Sequence, residues 1–414
     1  MLQKTLPFVL ASMMLFSCKH HPEMTYRTNS HSGDKVSLLG FGCMRFETID
    51  DENGNKVVNQ EIANRLIDSA IECGVNYFDC APVYLDGQCE KATGIALKRH
   101  KRSDFFIATK MSNYADFSIE YAKEMYYNSF KVLQVDYIDY YLLHSIGFKG
   151  IEGFNARFID NGLLDFLLEE KKAGRIRNLG WSFHGEVESF DYVLNLKGIQ
   201  WDFCQIQMNY VDWKNADGKR NVDAEYLYGE LVKHNVPAVI MEPLRGGRLA
   251  SLSSVAMNEL KKVHPDQTAA EWAFRYVGSY DNVLTVLTGM NKPEHLTENL
   301  ATFSPLVKLS EEEFKTLEKV SDIILNAAYI PCTECQYCMP CPFGVDIPCV
   351  FAAYNESVTE GREITTNDIA VKQAAECRHC EVCQVKCPQR IKISKEMSRL
   401  DSLYQQIEKK EKTF

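Results

Sequence analysis

The chain of 414 residues is predicted to be an α/β protein, a closed (β/α)8 TIM barrel followed by a small C-terminal domain built around cysteines. Three observations predict it. Between Met24 and about Asn326, short β-branched or apolar runs alternate with longer amphipathic stretches in eight units, the pattern of parallel strands joined by helices. Roughly 300 residues in eight such units suit a closed barrel better than an open doubly wound sheet, and no G-x-G-x-x-G turn follows the first strand candidate. Beyond Asn326 the composition changes, with proline and cysteine dense from Pro331 to Pro348.

Residues 1–23 read as a leader. Lys4, the apolar stretch Leu6 to Leu15 and the ending Leu15-Phe16-Ser17-Cys18 have the form of a bacterial lipoprotein signal, with Cys18 as the lipidated residue. The stretch is too short to cross a bilayer, and no transmembrane span is expected. Met24-Thr25-Tyr26-Arg27 stands directly before the first strand candidate and is the expected start, which makes the expected location cytoplasmic; a lipid anchor on Cys18 is the alternative.

The strand candidates are Val36–Phe41, Asn76–Cys80, Phe105–Lys110, Ile138–His144, Arg175–Trp181, Phe203–Met208, Ala238–Met241 and Val283–Leu287. Helix candidates between them include Gln60–Cys73, Ile119–Leu133, Gly162–Ala173, Asp223–His234 and Thr268–Val277. In the first, Ile62, Leu66, Ile67, Ala70 and Ile71 share one face at helical spacing. A charged helix from Ser310 to Asn326 leaves the barrel. The predicted domains are the barrel at 24–328, the cysteine-rich domain at 329–391, which contains a polar insert from Asn355 to Asn367, and a charged tail at 392–414, a surface helix or a frayed end. No internal repeat is expected beyond the βα alternation.

Eight of the fifteen cysteines form two runs, Cys332-x2-Cys335-x2-Cys338-x2-Cys341-Pro342 and Cys377-x2-Cys380-x2-Cys383-x3-Cys387-Pro388. Three thiolates at two-residue intervals can wrap one face of an iron-sulfur cube, and a fourth followed by proline then comes from the other run. Structural zinc also uses paired C-x2-C, but usually joins two well-separated pairs. A disulfide framework suits small secreted domains and accounts poorly for this spacing. The second run resembles the motif of bacterial two-cluster ferredoxins and implies two 4Fe-4S clusters in a ferredoxin-like domain. The first run has one residue fewer before its last cysteine, which leaves Cys349 as a substitute for Cys341.

In a barrel of this kind catalytic groups sit at the C-terminal ends of strands. Asp79 and Tyr84 follow the second strand candidate, Lys110 ends the third and His144 ends the fourth. Singly, each has a plainer reading: a cap, a packed ring, a strand end, a core histidine. As a set they suit carbonyl reduction. The carbonyl oxygen needs a proton, and a phenol with a free pKa near 10 releases one reluctantly. Lys110 against Tyr84 is expected to favour the phenolate, with Asp79 holding the ammonium in place. His144 would donate to the carbonyl oxygen. In reverse, Tyr84 is the base and an alcohol is oxidised.

These segments resemble the aldo-keto reductases, whose active site carries an aspartate, tyrosine, lysine and histidine in this order. The similarity extends through Gly40-Phe41-Gly42-Cys43-Met44-Arg45, Glu90, Gly180-Trp181-Ser182-Phe183-His184 and Glu242-Pro243-Leu244-Arg245-Gly246-Gly247. With the cysteine domain attached, the whole resembles a bacterial ferredoxin-fused branch of that family. The resemblance implies an NAD(P)H-dependent oxidoreductase acting on a small carbonyl or alcohol. It points to Ser182 and Gln205, with Gln207 as the alternative, for the nicotinamide amide. Met241 stands where an aromatic ring normally stacks, and Pro243 and Leu244 follow it. Gly289, Glu298 and Asn299 lie in the segment matching the adenosine-phosphate loop. There Gly289 and His295 replace the two usual cations and Lys292 remains, which leaves NADH and NADPH both open, and flavin as a further alternative.

A hydride carries two electrons and a cluster one, so exchange between them needs a group that splits the pair, and the sequence shows none; the leading expectation is that the clusters connect the barrel to a redox partner protein. The alternatives are purely structural clusters and a non-catalytic barrel that docks an electron-transfer partner. Net charge is -10 with no long basic run, and no nucleic-acid partner is expected.

Overall fold

The computed structural model describes residues 23–216, 221–326, 330–360, 362 and 364–411. The leader with Cys18 and the expected boundary at 328 lie outside them. Eight parallel strands close into a barrel in chain order: β1 (Leu39–Gly42), β2 (Tyr77–Asp79), β3 (Phe106–Met111), β4 (Ile138–Ile146), β5 (Ile176–Phe183), β6 (Phe203–Gln207), β7 (Ala238–Met241) and β8 (Val283–Thr288), with β8 returning to β1. Each strand candidate overlaps one of them, five of the observed strands running one or two residues past the expected end. No described helix is long and apolar enough to cross a membrane.

The first candidate divides. Lys35–Ser37 pairs antiparallel with Tyr26–Thr28, and the chain enters the barrel only at Leu39. Ser37 is the break: its N–H donates to the Asn76 side chain and its hydroxyl to the Leu39 carbonyl, so local side-chain bonds replace a continuous ladder. Val36 then closes the barrel floor against an inner cluster that includes Tyr77, Tyr140 and Phe203.

Strand periodicity sets the rim. Side chains alternate at period two, and the inner cluster contains Tyr77 of β2, Ala108 of β3, Tyr140 and Leu142 of β4, Phe203 of β6 and Val239 of β7. Two residues further along the same faces come Asp79, Lys110, His144, Gln205 and Met241, and Ser182 follows Gly180 on β5 in the same way. Gly180 makes room for a neighbour there, since a Cβ would lie 2.7 Å from the Phe203 ring.

Helices wrap the outside. Asn59 caps Gln60–Glu72, Ser118 caps Ile119–Leu133 and Thr268 caps Ala269–Gly278, each side chain accepting a backbone N–H of the first turn. The exit helix Glu311–Asn326 buries Leu317 and Val320 in the barrel's outer core. It is anchored by Glu313, which meets Arg275 at 2.6 Å.

The cysteine module has its own core, with Ile330, Phe351, Val371, Met397 and Leu400 among its buried residues. The stretch expected as a polar insert begins inside the helix Ile347–Glu360, where Asn355 holds the backbone of Ile330 through both its N–H and its carbonyl. The charged C-terminal stretch forms the helix Ile393–Glu411, whose Ile393, Met397, Leu400 and Tyr404 are buried in the module core. An internal repeat, not expected from the sequence, is present here. Glu334 and Gln336 of the first run are left-handed, as are His379 and Glu381 at the matching places of the second; Gly344 and Arg390 match three residues after each Cys-Pro cysteine. Each half then continues into its helix, Ile347–Glu360 or Ile393–Glu411.

Candidate functional site

At the rim, Lys110 is fully buried and its ammonium donates to Asp79 Oδ1 at 2.5 Å and to the Cys80 carbonyl at 2.9 Å. It lies 5.0 Å from the centroid of the Tyr84 ring. His144 meets that ring edge-on, with centroids 5.7 Å apart. The four residues expected to act together are therefore assembled from β2, β3, β4 and the turn after β2.

His144 is fixed from two sides: its Nδ1 shares a 2.6 Å hydrogen bond with Ser112 Oγ, and its carbonyl accepts from the Arg157 guanidinium at 2.9 Å. Burial, then the positive charges of Lys110 and Arg157, hold its pKa well below the ordinary imidazole value, so the ring is neutral. Tyr84 corrects an expectation. Burial, then the Asp79 carboxylate and Tyr114, push the phenol well above its usual pKa, so desolvation outweighs the acidifying pull expected from Lys110. Asp79 is likewise pushed up by burial, against the lowering pull of Lys110.

These groups open on a cavity of about 550 Å³ lined by Asp79, Tyr84, His144, Gln205, Met241 and Leu244, among others. This is the usual size of a small-molecule pocket. Gln205 Nε2 lies 3.5 Å from Met241 Sδ, while its Oε1 is buried with no partner. An orphaned acceptor on a cavity wall fits a ligand amide donor.

In the module, Cys332, Cys335, Cys338 and Cys387 line one small cavity, three sulfurs from the first run and one from the second. Cys383 is acted on electrostatically by Cys377, Cys380 and Cys341. These neighbours suit two sets of four, each with its fourth member from the opposite run, Cys341 having the place in one that Cys387 has in the other. Cys349 is exposed and does not line that cavity. All eight are free thiols; burial pushes Cys332 up to about 11, so a bound cation is what would make it a thiolate. Among the described residues no group of three or more His, Cys, Asp or Glu could hold a single metal ion, whereas a cube takes sulfurs spread around a larger body.

Comparison with known proteins decides the family. The model of the aldo/keto reductase family matches residues 38–322. The chain belongs to the aldo/keto reductase family. A 4Fe-4S dicluster domain matches residues 331–392. An uncharacterized oxidoreductase, YqkF of Bacillus subtilis, is 29% identical over 315 residues, covering 68% of this chain and 92% of that protein. L-galactose dehydrogenase of Arabidopsis thaliana is 25% identical over 314 residues, covering 72% and 93%. Among solved structures, the holo form of aldo-keto reductase AKR11C1 from Bacillus halodurans is 26% identical with a TM-score of 0.56, covering 72% of this chain and 96% of that one.

In this aldo/keto reductase the residues expected on the cofactor side divide. Gln205, Met241, Pro243, Leu244 and Gly289 line the cavity. Gln207, the alternative to Gln205, is held by Asp212 at 2.7 Å. Ser182 is buried and its Oγ accepts the Ser145 N–H at 2.8 Å. Glu298 accepts from Thr268, and Asn299 is buried on its helix; neither lines the cavity. The Arg45 side chain packs on Gly289, where a Cβ would lie 3.0 Å from its Cγ. Ser112, Tyr114 and Arg157 also stand at His144 and are not among the residues expected from the sequence. Ser112 follows Lys110 at period two and was findable; Arg157, in a π-helical turn at Asn155–Ile159, gives no such signal.

Proposed function

We propose that this chain reduces a small carbonyl compound, or oxidises the corresponding alcohol, with NAD(P)H, and that two 4Fe-4S clusters connect it to a redox partner protein. The observation that carries the reading is the convergence of Tyr84, His144 and the orphaned Gln205 Oε1 on one cavity, with the Lys110–Asp79 pair buried behind Tyr84. Gln205, with Met241 beside it, would hold the nicotinamide, which when bound supplies hydride to the carbonyl carbon. In the tautomer that has Ser112 as donor to Nδ1 of His144, the proton is on Nε2, and a neutral imidazole would donate a hydrogen bond to the carbonyl oxygen. Tyr84 gives its proton to that oxygen as the carbon–oxygen double bond becomes single. The phenolate left behind is stabilised by Lys110 until solvent returns the proton. The Arabidopsis relative's name, a dehydrogenase of a sugar, supports the oxidative direction.

Cys332, Cys335, Cys338 and Cys387 would hold one cluster and Cys341, Cys377, Cys380 and Cys383 the other, each carrying single electrons. Protein purified without oxygen is expected to be brown, to contain roughly eight irons, and to oxidise NADPH or NADH when a panel of aldehydes and ketones is added. A colourless protein sinks the cluster assignment; failure to bind either nicotinamide sinks the hydride assignment. Feeding electrons through reduced methyl viologen tests the connection: two viologens oxidised and two protons taken up per carbonyl are expected to give the alcohol, and absence of product means the clusters serve structure alone.

A further inference from the structure

The cavity above Tyr84 and His144 is not closed by the barrel alone. Its lining includes Thr333, Cys335 and Tyr337 from the first cysteine run and Pro388 and Gln389 from the second. The module is seated there closely. Gly246, in the segment after β7, has φ +72, and a Cβ on it would lie 2.5 Å from Thr333 Cγ2, so glycine both suits the left-handed backbone and leaves room for the Thr333 side chain against it. Tyr337 is half exposed at the cavity mouth, and its phenol is near enough to act electrostatically on Tyr84.

We propose that the iron-sulfur module forms a wall of the substrate cavity, with Tyr337 a substrate-contacting residue that favours carbonyl compounds bearing a ring. The inference rests on the carbonyl-reducing reading given above. Its chemistry is that of the wall: Tyr84, Tyr114 and His144 already present rings on the barrel side, and Tyr337 adds one from the module, so a flat substituent on the carbonyl meets aromatic rings from both. The placement has a second consequence. Cys335 belongs both to the cavity lining and to one cysteine set, so one cluster is a neighbour of the substrate.

The test compares benzaldehyde with propanal in iron-loaded wild type, Tyr337→Ala and Tyr337→Trp, with iron counted in each. For Tyr337→Ala, KM for benzaldehyde is expected to rise about tenfold, corresponding to the loss of one aromatic contact, while KM for propanal stays within about twofold. Should Tyr337→Ala lose its iron, Tyr337→Trp, which keeps a ring and adds bulk, must still shift KM for benzaldehyde. Unchanged values for benzaldehyde in both variants overturn the proposal. A measurement independent of turnover uses electron paramagnetic resonance of the dithionite-reduced protein with and without saturating benzyl alcohol. The spectrum is expected to change, because filling the cavity alters the surroundings of Cys335; an unchanged spectrum overturns the wall. If wild type reduces neither aldehyde yet the spectrum responds, the carbonyl reading fails and the wall stands.

Discussion

At the barrel rim Asp79, Lys110 and His144 are the last inward steps of strands whose lower residues are already core, whereas Cys332, Cys335 and Cys338 hang from turns that need left-handed backbone at Glu334 and Gln336. The rim is held by what lies beneath it. Its charges are paired, its histidine is fixed by Ser112 and Arg157, and neither needs a cofactor to be in place. The module has a small core, and burial pushes the Cys332, Cys338 and Cys383 thiols up, so a bound cation is what would make these three thiolates and draw the turns around it. A sheet positions chemistry in advance; a loop framework positions it when the metal arrives.

The largest effect expected separates the two regions. Tyr84→Phe removes the proposed proton donor and should lower kcat by about 10²- to 10⁴-fold, with iron content and thermal midpoint unchanged. Full activity in steady-state assays would show that Tyr84 is not the acid. Next comes Lys110→Met, which leaves the buried Asp79 carboxyl without its partner. Urea unfolding should then show a loss of about 3–5 kcal/mol, and part of it should return in Lys110→Met/Asp79→Leu. A double variant no more stable than the single one contradicts the idea that the rim is held by pairing.

The rim was legible in the sequence because two periods write it. Alternation at two places Asp79, Lys110, His144, Gln205 and Met241 on one face, and the 3.6 period marks the helices that force the strands into parallel order. The break at Ser37 was not legible, since it depends on Asn76 arriving from the next strand end. Nor was the repeat in the module: the halves share little beyond cysteine, proline and the apolar pairs Val345/Ile391 and Ile347/Ile393, and one added residue before Cys387 shifts their register. The left-handed turns that reveal it are a backbone property of Glu, Gln and His, residues that do not announce it. Tyr84 departs from its expected acidity because sequence names its charged neighbours but not its desolvation, and here desolvation is the larger effect.

Cysteine substitutions sharpen the contrast on the module's side. Cys341→Ser should remove one cluster and about half the iron while carbonyl kinetics at the rim change by no more than about twofold, because none of Cys341, Cys377, Cys380 and Cys383 lines the cavity. Cys349→Ser should retain all of it. Iron and acid-labile sulfide counted in both variants decide between Cys341 and Cys349; loss in the second and not the first reverses the assignment.

The smallest effect expected is a pH dependence that fails to occur. A surface histidine acting as catalytic donor would switch charge near pH 6.5 and leave an inflection there. His144 is held well below that value by burial and by Lys110 and Arg157, so its folded pKa lies under its unfolded one. Folding stability from this group is therefore present above about pH 6.5 and lost as pH falls toward the folded value, while activity of the folded enzyme shows no step there. Tyr84, pushed above its usual value, stays protonated through the same range, so kcat for carbonyl reduction should be flat across neutrality. Alcohol oxidation needs the phenolate and should rise with pH throughout. Profiles of kcat in both directions check this. An inflection near pH 6.5 in reduction, absent from His144→Gln, would mean that the ring titrates in the folded enzyme and that the rim is less sealed than its burial implies.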